Sequence, residues 1–213
     1  MQKPYLQIAL DTESLEQAFD VLSGGLDEVV DIIEVGTMLM LMEGMHAVRI
    51  MRAAYPQKLM VADFKLAVTH FGPKVLEGNT QFATVFSPAR EDIKKAILEQ
   101  ATERGQTAQL ELYGDWTFEQ LQTWREMGYE HIIYQRPRYR TGPWTQEDVD
   151  TLKKICDMGF QVTATGGVSY NDLDLLAGLP LFAIICGRSI RNAVNPVEEA
   201  RRVQARIAEL WTD

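Results

Sequence analysis

In the stretch Leu59-Met60-Val61-Ala62-Asp63-Phe64-Lys65-Leu66-Ala67-Val68 an apolar run ends in a carboxylate and an ammonium two residues apart. On an extended backbone positions i and i+2 face the same side. Asp63 and Lys65 then form a charged pair at a strand end, aimed at a small anionic substrate. Further along, where a second carboxylate would extend that pair, stands Val68, which offers no charge.

Three more acids close apolar runs. Asp11 follows Tyr5–Leu10, Glu34 lies in Ile32–Val35, and Glu111 lies in Ala108–Leu112. A lone acid after a strand also serves as a helix N-cap, and Asp11 before Thr12-Glu13-Ser14 has that alternative. Four such acids around one ring repel, which raises the pKa of at least one unless a cation balances them. Lys65 supplies part of that balance, or acts as a structural ion-pair partner. A divalent ion can supply the rest, and carboxylate oxygens suit Mg²⁺ rather than zinc. Glu34 and Asp63 are the candidate ligands.

A second group of residues suits phosphate. Thr165-Gly166-Gly167-Val168 and Cys186-Gly187-Arg188-Ser189 each follow an apolar run near the end of the chain. Glycine lets backbone amides approach an anion, a helix N-terminus adds its dipole, and Arg188 adds a charged fork. The alternative is that these glycines only make tight turns. Arg136 and Arg138, after the run His131–Tyr134, are candidates for another anion contact. His70 lies close enough to the Asp63 strand end to be considered for proton transfer, whereas His131 opens its run at the opposite end and reads as structural. Trp116, Trp124, Trp144 and the methionine-rich stretch Met38–Met45 read as packing residues.

These residues need a scaffold that gathers strand ends. Eight strand-like runs recur: Tyr5–Leu10, Ile32–Val35, Leu59–Ala62, Phe82–Phe86, Ala108–Leu112, His131–Tyr134, Gln161–Ala164 and Leu181–Cys186. Helical periodicity appears between or after them in Ser14–Leu22, Asp92–Ala101, Thr117–Met127, Glu147–Met158 and Val197–Leu210. Short βα units with parallel crossovers predict a (β/α)8 TIM barrel with its site at the C-terminal strand ends. The competing architecture, an open doubly wound sheet, usually has fewer strands, and no GxGxxG follows the first run.

The 213 residues suit one domain over 1–213. Net charge is −9, from 30 acidic and 21 basic residues. That balance argues against a nucleic-acid partner but allows a local basic pocket for an anionic substrate. Cys156 and Cys186 read as buried free thiols, with one disulfide as the alternative. No apolar stretch is long enough to span a membrane and no signal peptide is evident, so cytoplasm is the expected location.

Taken in order, Leu6-Gln7-Ile8-Ala9-Leu10-Asp11, Asp31-Ile32-Ile33-Glu34-Val35-Gly36-Thr37, Ala62-Asp63-Phe64-Lys65, Gln109-Leu110-Glu111-Leu112, Thr165-Gly166-Gly167 and Gly187-Arg188-Ser189-Ile190-Arg191 form a specific set. It resembles the 3-keto-L-gulonate-6-phosphate decarboxylase family of the orotidine-monophosphate decarboxylase superfamily, to which hexulose-6-phosphate synthase is closely related. The resemblance spans essentially the whole chain. It implies a homodimeric (β/α)8 barrel with active sites near the dimer interface. It implies Glu34 and Asp63 as Mg²⁺ ligands, Lys65 as the residue that stabilises an enediolate, and Asp11 and Glu111 as further polar positions of the site. Gly167, Gly187 and Arg188 match the phosphate loops, with Thr165 beside them, and Arg138 matches a family arginine. The implied reaction is loss of CO2 from 3-keto-L-gulonate 6-phosphate, giving L-xylulose 5-phosphate.

Two positions depart from the family. Its Asp-x-Lys-x-x-Asp motif here ends in Val68, and a family histidine used in proton delivery is replaced by Gln135. In the family the second aspartate reaches the neighbouring subunit's site. Glutamine donates hydrogen bonds but is no general acid at neutral pH. Three readings follow: a decarboxylase with altered proton delivery, a lyase or isomerase acting on another sugar phosphate, and a non-catalytic sugar-phosphate-binding or assembly protein.

Overall fold

Alternating inward and outward side chains and right-handed crossovers close the chain into a barrel. The computed structural model describes residues 2–137, 139–140 and 142–212. Eight strands run in sequence order: β1 (Tyr5–Leu10), β2 (Ile32–Val35), β3 (Leu59–Leu66), β4 (Phe82–Phe86), β5 (Thr107–Leu112), β6 (His131–Gln135), β7 (Gln161–Thr165) and β8 (Leu181–Cys186). Every neighbouring pair is parallel, and β8 pairs with β1 through Tyr5↔Ala183 to Ile8↔Cys186, so the sheet is closed. This is the (β/α)8 TIM barrel expected from the sequence, and the open sheet is excluded.

The helices form where the 3.6-residue period placed them. Leu15–Leu22 is capped by Ser14, whose side chain accepts from the Gln17 N–H. Asp11 therefore does not cap that helix. Thr117 closes a capping box with Gln120 at the start of Phe118–Met127. The methionine-rich segment folds as two helices, Thr37–Glu43 and Met45–Ala54. Met40 is buried and Met45 packs on the core, but Met38, Leu41 and Met42 are exposed, so packing explains only part of that stretch.

The main core lies between the outer faces of the strands and the helices, and includes Trp124 and Trp144, with Trp116 packed against it. Inside the barrel, Ile32, Val61, Phe82 and Ala183 fill the N-terminal end with Tyr5, Leu59 and Phe182. His131 stacks edge-on against Phe182 at 4.7 Å there, and burial pushes its imidazole down to about 4. It is a structural residue. Ala9, Ile133 and Ile185 form a second apolar layer. Both cysteines are buried and free.

One strand departs from its expected length. β3 continues to Leu66 instead of ending at Ala62, and its register against β4 shifts between Ala62 and Leu66. Lys65 sits in the left-handed region at φ 56°. A residue there bends the strand and interrupts the ladder locally, and pairing with β4 resumes at Leu66↔Val85.

Candidate active site

The C-terminal strand ends surround a cavity of about 1390 Å³, lined on one side by Asp11, Glu34, Asp63, Lys65 and Glu111 and on another by Thr165, Gly166, Gly167, Gly187 and Arg188. The structure thus gathers these expected site residues in one cavity. Arg138 lies outside the described residues.

The acidic wall is organised around one cation. Lys65 Nζ lies 2.7 Å from Asp63 Oδ1 and 2.6 Å from Oδ2, and 3.1 Å from Glu111 Oε2. Two hydroxyls join them. Thr84 donates to Asp63 Oδ1 at 2.8 Å, and Thr37 donates to Oδ2 at 2.5 Å. Burial pulls the Lys65 pKa down, but the facing Asp63 and Glu111 carboxylates override it and hold the ammonium charged. Burial and the negative charge of Asp63 push Glu111 up to about 7, with Lys65 opposing. Burial, Asp63 and Asp11 raise Glu34 well above the carboxylate range, while Lys65 and a 2.6 Å hydrogen bond from Gln7 Nε2 oppose.

Asp11 stands at the rim, where its Oδ1 accepts from the Met38 N–H at 3.4 Å. The adjoining Gly36 is required by the end of β1, because a Cβ would meet the backbone Leu10 O at 2.8 Å and Asp11 N at 2.9 Å as well as Asp11 Oδ1 at 2.5 Å.

The donor chemistry around Glu34 and Asp63 suits a hard cation. Among the described residues no group of three or more His, Cys, Asp or Glu side chains could hold a metal ion. A protein-only cage is therefore not offered. Two carboxylates beside a cavity fit Mg²⁺, which commonly keeps waters and substrate oxygens in its shell.

On the opposite wall Gly166 and Gly167 both have positive φ, 105° and 83°. A Cβ at Gly166 would meet Arg136 Cβ at 2.6 Å and its backbone N at 2.7 Å. Glycine is required because the β7 loop presses on the end of β6. The expected helix dipole is a small contribution after β8, since the helix beyond Gly187 spans only Arg188–Arg191. Arg188 is exposed at the cavity, and Arg191 lines the same wall.

Arg136, considered for an anion contact, borders the cavity, but its guanidinium is committed to partners within the protein. Its guanidinium is 5% exposed, pairs with Asp148 at 3.1 Å and donates to the Gly142 and Pro143 carbonyls at 2.7 Å each. It brackets its own loop. Arg140, not singled out from sequence, faces the cavity while pairing with Glu147 and Asp148. His70 is exposed, stacks on Phe71 at 4.5 Å and is not part of the cavity wall, so the proton-transfer role considered for it finds no geometric support.

The two departures separate in space. Gln135 lines the cavity at the end of β6. Val68 is half-buried just before the short turn Thr69–Phe71 and does not line the cavity. The sequence reading missed Gln7, Thr37 and Thr84. Gln7 and Thr84 had a faint signal, a polar residue at an inward position within an apolar strand. Thr37 had none.

Comparison with known proteins points to one family. Residues 4–203 match the model of the Orotidine 5'-phosphate decarboxylase / HUMPS family. The 3-keto-L-gulonate-6-phosphate decarboxylase UlaD of Escherichia coli is 41% identical, over 99% of this chain and 100% of that protein. A crystal structure of KGPDC from Streptococcus mutans superposes with a TM-score of 0.93 at 33% identity, covering 99% of this chain and 100% of that one. The 3-keto-L-gulonate-6-phosphate decarboxylase of Vibrio cholerae gives 0.91 at 31% identity, with the same coverage. On this match, which covers nearly the whole chain, the protein belongs to the Orotidine 5'-phosphate decarboxylase / HUMPS family.

Proposed function

We propose that this protein is a Mg²⁺-dependent decarboxylase of 3-keto-L-gulonate 6-phosphate, giving L-xylulose 5-phosphate through an enediolate. The observation that carries this reading is the Lys65 ammonium, held between Asp63 and Glu111 in a cavity that also presents Gly167, Gly187 and Arg188. The names of its near-full-length relatives support the same substrate.

Arg188 and the glycine-loop amides hold the phosphate and fix the sugar chain across the cavity. The bond to the carboxylate carbon then breaks, CO2 leaves, and the electron pair moves onto the neighbouring ketone oxygen. Lys65, kept protonated by its acidic neighbours, faces that developing charge. Glu34 and Asp63 would hold Mg²⁺, which when bound supplies Lewis-acid charge to the same oxygen. Asp63 also orients Lys65. Gln135 can hydrogen-bond the intermediate but has no proton to transfer at neutral pH, which leaves protonation to solvent.

Gln135 favours a second reading, phosphosugar binding without turnover. Purified protein with Mg²⁺ and 3-keto-L-gulonate 6-phosphate separates the cases. CO2 release with L-xylulose 5-phosphate in the NMR spectrum supports the decarboxylase. Calorimetric binding without product supports the second reading, and turnover of a different phosphosugar supports a diverged lyase or isomerase. The exposed Met38, Leu41 and Met42, beside the cavity rim, support a homodimer with the cavity near its interface, which sedimentation tests.

A further inference from the structure

We propose that Thr84 is a positioning residue, whose single hydroxyl fixes both the left-handed backbone of Lys65 and the orientation of the Asp63 carboxylate. The inference concerns geometry first and rests on the decarboxylase reading only for its kinetic arm.

Lys65 and Asn79 are the only non-glycine residues with positive φ among those described. A long unbranched side chain gains nothing locally from that conformation, so surrounding contacts must impose it. The irregular stretch of β3 against β4 lies between Ala62 and Leu66, with Lys65 inside it. There the Lys65 N–H donates to Thr84 Oγ1 at 2.8 Å. An N–H can only donate, so the hydroxyl oxygen is the acceptor and its own hydrogen is free for a second partner. That partner is Asp63 Oδ1, at 2.8 Å.

The other end of Lys65 repeats the arrangement. Its ammonium donates to Thr37 Oγ1 at 2.8 Å, and Thr37 in turn donates to Asp63 Oδ2. Lys65 is thus tied to Asp63 through a hydroxyl at its backbone and through another at its tip. The two hydroxyls differ in setting. Thr37 is half-buried on the segment after β2, whereas Thr84 is 1% exposed on β4. A group on a closed barrel strand is the more rigid reference, and Thr84 is the one that acts on the backbone.

Thr84→Val removes the hydroxyl and nearly preserves the shape, and Thr84→Ser keeps the hydroxyl. Amide hydrogen exchange by NMR reads the geometry without substrate. The Lys65 amide is expected to lose at least about tenfold of its protection in Thr84→Val, with the β1 and β6 amides unchanged, and to keep it in Thr84→Ser. In CO2 release from 3-keto-L-gulonate 6-phosphate, kcat is expected to fall about a hundredfold in Thr84→Val with KM within about threefold, and to recover in Thr84→Ser. Unchanged Lys65 exchange in Thr84→Val overturns the proposal. So does a Thr84→Ser protein as impaired as Thr84→Val, or a kcat unchanged when only thermal stability falls. If wild-type protein shows no turnover, the decarboxylase reading fails and the exchange arm still decides the role of Thr84. If Thr84→Val does not fold, Thr84→Ala removes the same hydroxyl with less crowding and is read by the same criteria.

Discussion

The Gln7 side-chain amide donates to Glu34 Oε2 across 2.6 Å inside the barrel, while the Gln7 Oε1 atom has no hydrogen-bond partner among the described residues. The carboxylate thus dictates which way the amide points, and the amide offsets part of the burial cost of a charged Glu34. Gln7→Leu keeps the volume and removes the donor. If Glu34 helps hold Mg²⁺, this change should weaken divalent-ion binding about 10- to 100-fold, the usual cost of losing a group that orients a ligand. Mn²⁺ titration followed by electron paramagnetic resonance measures it. Wild-type affinity in Gln7→Leu would show that the hydrogen bond does not support metal binding.

Lys65 is the cation shared by Asp63 and Glu111. Lys65→Met should lower decarboxylation by about a thousandfold, because it removes the charge facing the developing oxyanion. It should also raise the pKa of Glu34 and Glu111 further, because Lys65 opposes both upward shifts. Raised carboxylate pKa values give stability that is present in acid and lost as pH rises through them. The variant should therefore lose more thermal stability relative to wild type at pH 8 than at pH 5, as scanning calorimetry would show.

Two groups give opposite pH trends. Glu111 titrates near 7 in the folded protein against an ordinary value of 4.5, so its contribution is present below 4.5 and lost as pH rises through about 7. His131 titrates near 4 against 6.5, so its contribution is present above 6.5 and lost as pH falls through about 4. Urea unfolding from pH 4 to 8 should show a shallower acid-side loss in His131→Phe, by up to about 3 kcal/mol at pH 4. Glu111→Gln should flatten the decline between pH 5 and 7. Parallel profiles for wild type and both variants would contradict these assignments.

Gln135 is in the cavity and Val68 is not. If missing proton delivery limits the rate, Gln135→His should raise kcat for CO2 release about a hundredfold, the lower range of general-acid contributions. Val68→Asp alone should do little within its own chain. A further gain in the double variant would place that side chain in a neighbouring subunit's site. No gain from either change would show that protonation is not limiting.

Cys186 is fully buried, and burial pushes its thiol up to about 12. Cys156 is 9% exposed, and burial pushes its thiol up to about 11. The thiolate is the reactive form. Both should resist a disulfide reagent such as Ellman's in the native protein and react together on unfolding in denaturant. Fast labelling of native protein would contradict their burial.

Much of this site was legible along the chain, because its signals are local. A short bounded apolar run marks each strand and places Asp11, Glu34, Asp63 and Glu111 near strand ends, whatever the rest of the chain does. The βα rhythm then limits the architectures to a few, and a closed barrel brings those ends to one face. The glycines of the β7 and β8 loops announced themselves in the same way. Other features arise only when strands become neighbours. Lys65 reads as ordinary extended chain until its amide meets Thr84 on β4 and the backbone turns left-handed. Arg136 reads as a free cation until Asp148 and two carbonyls take its guanidinium. Gln7 looks like any polar residue in a strand until closure sets it against Glu34. A side chain's type and spacing record what it can offer. Which partner takes that offer depends on register and closure, and these join residues far apart in the chain.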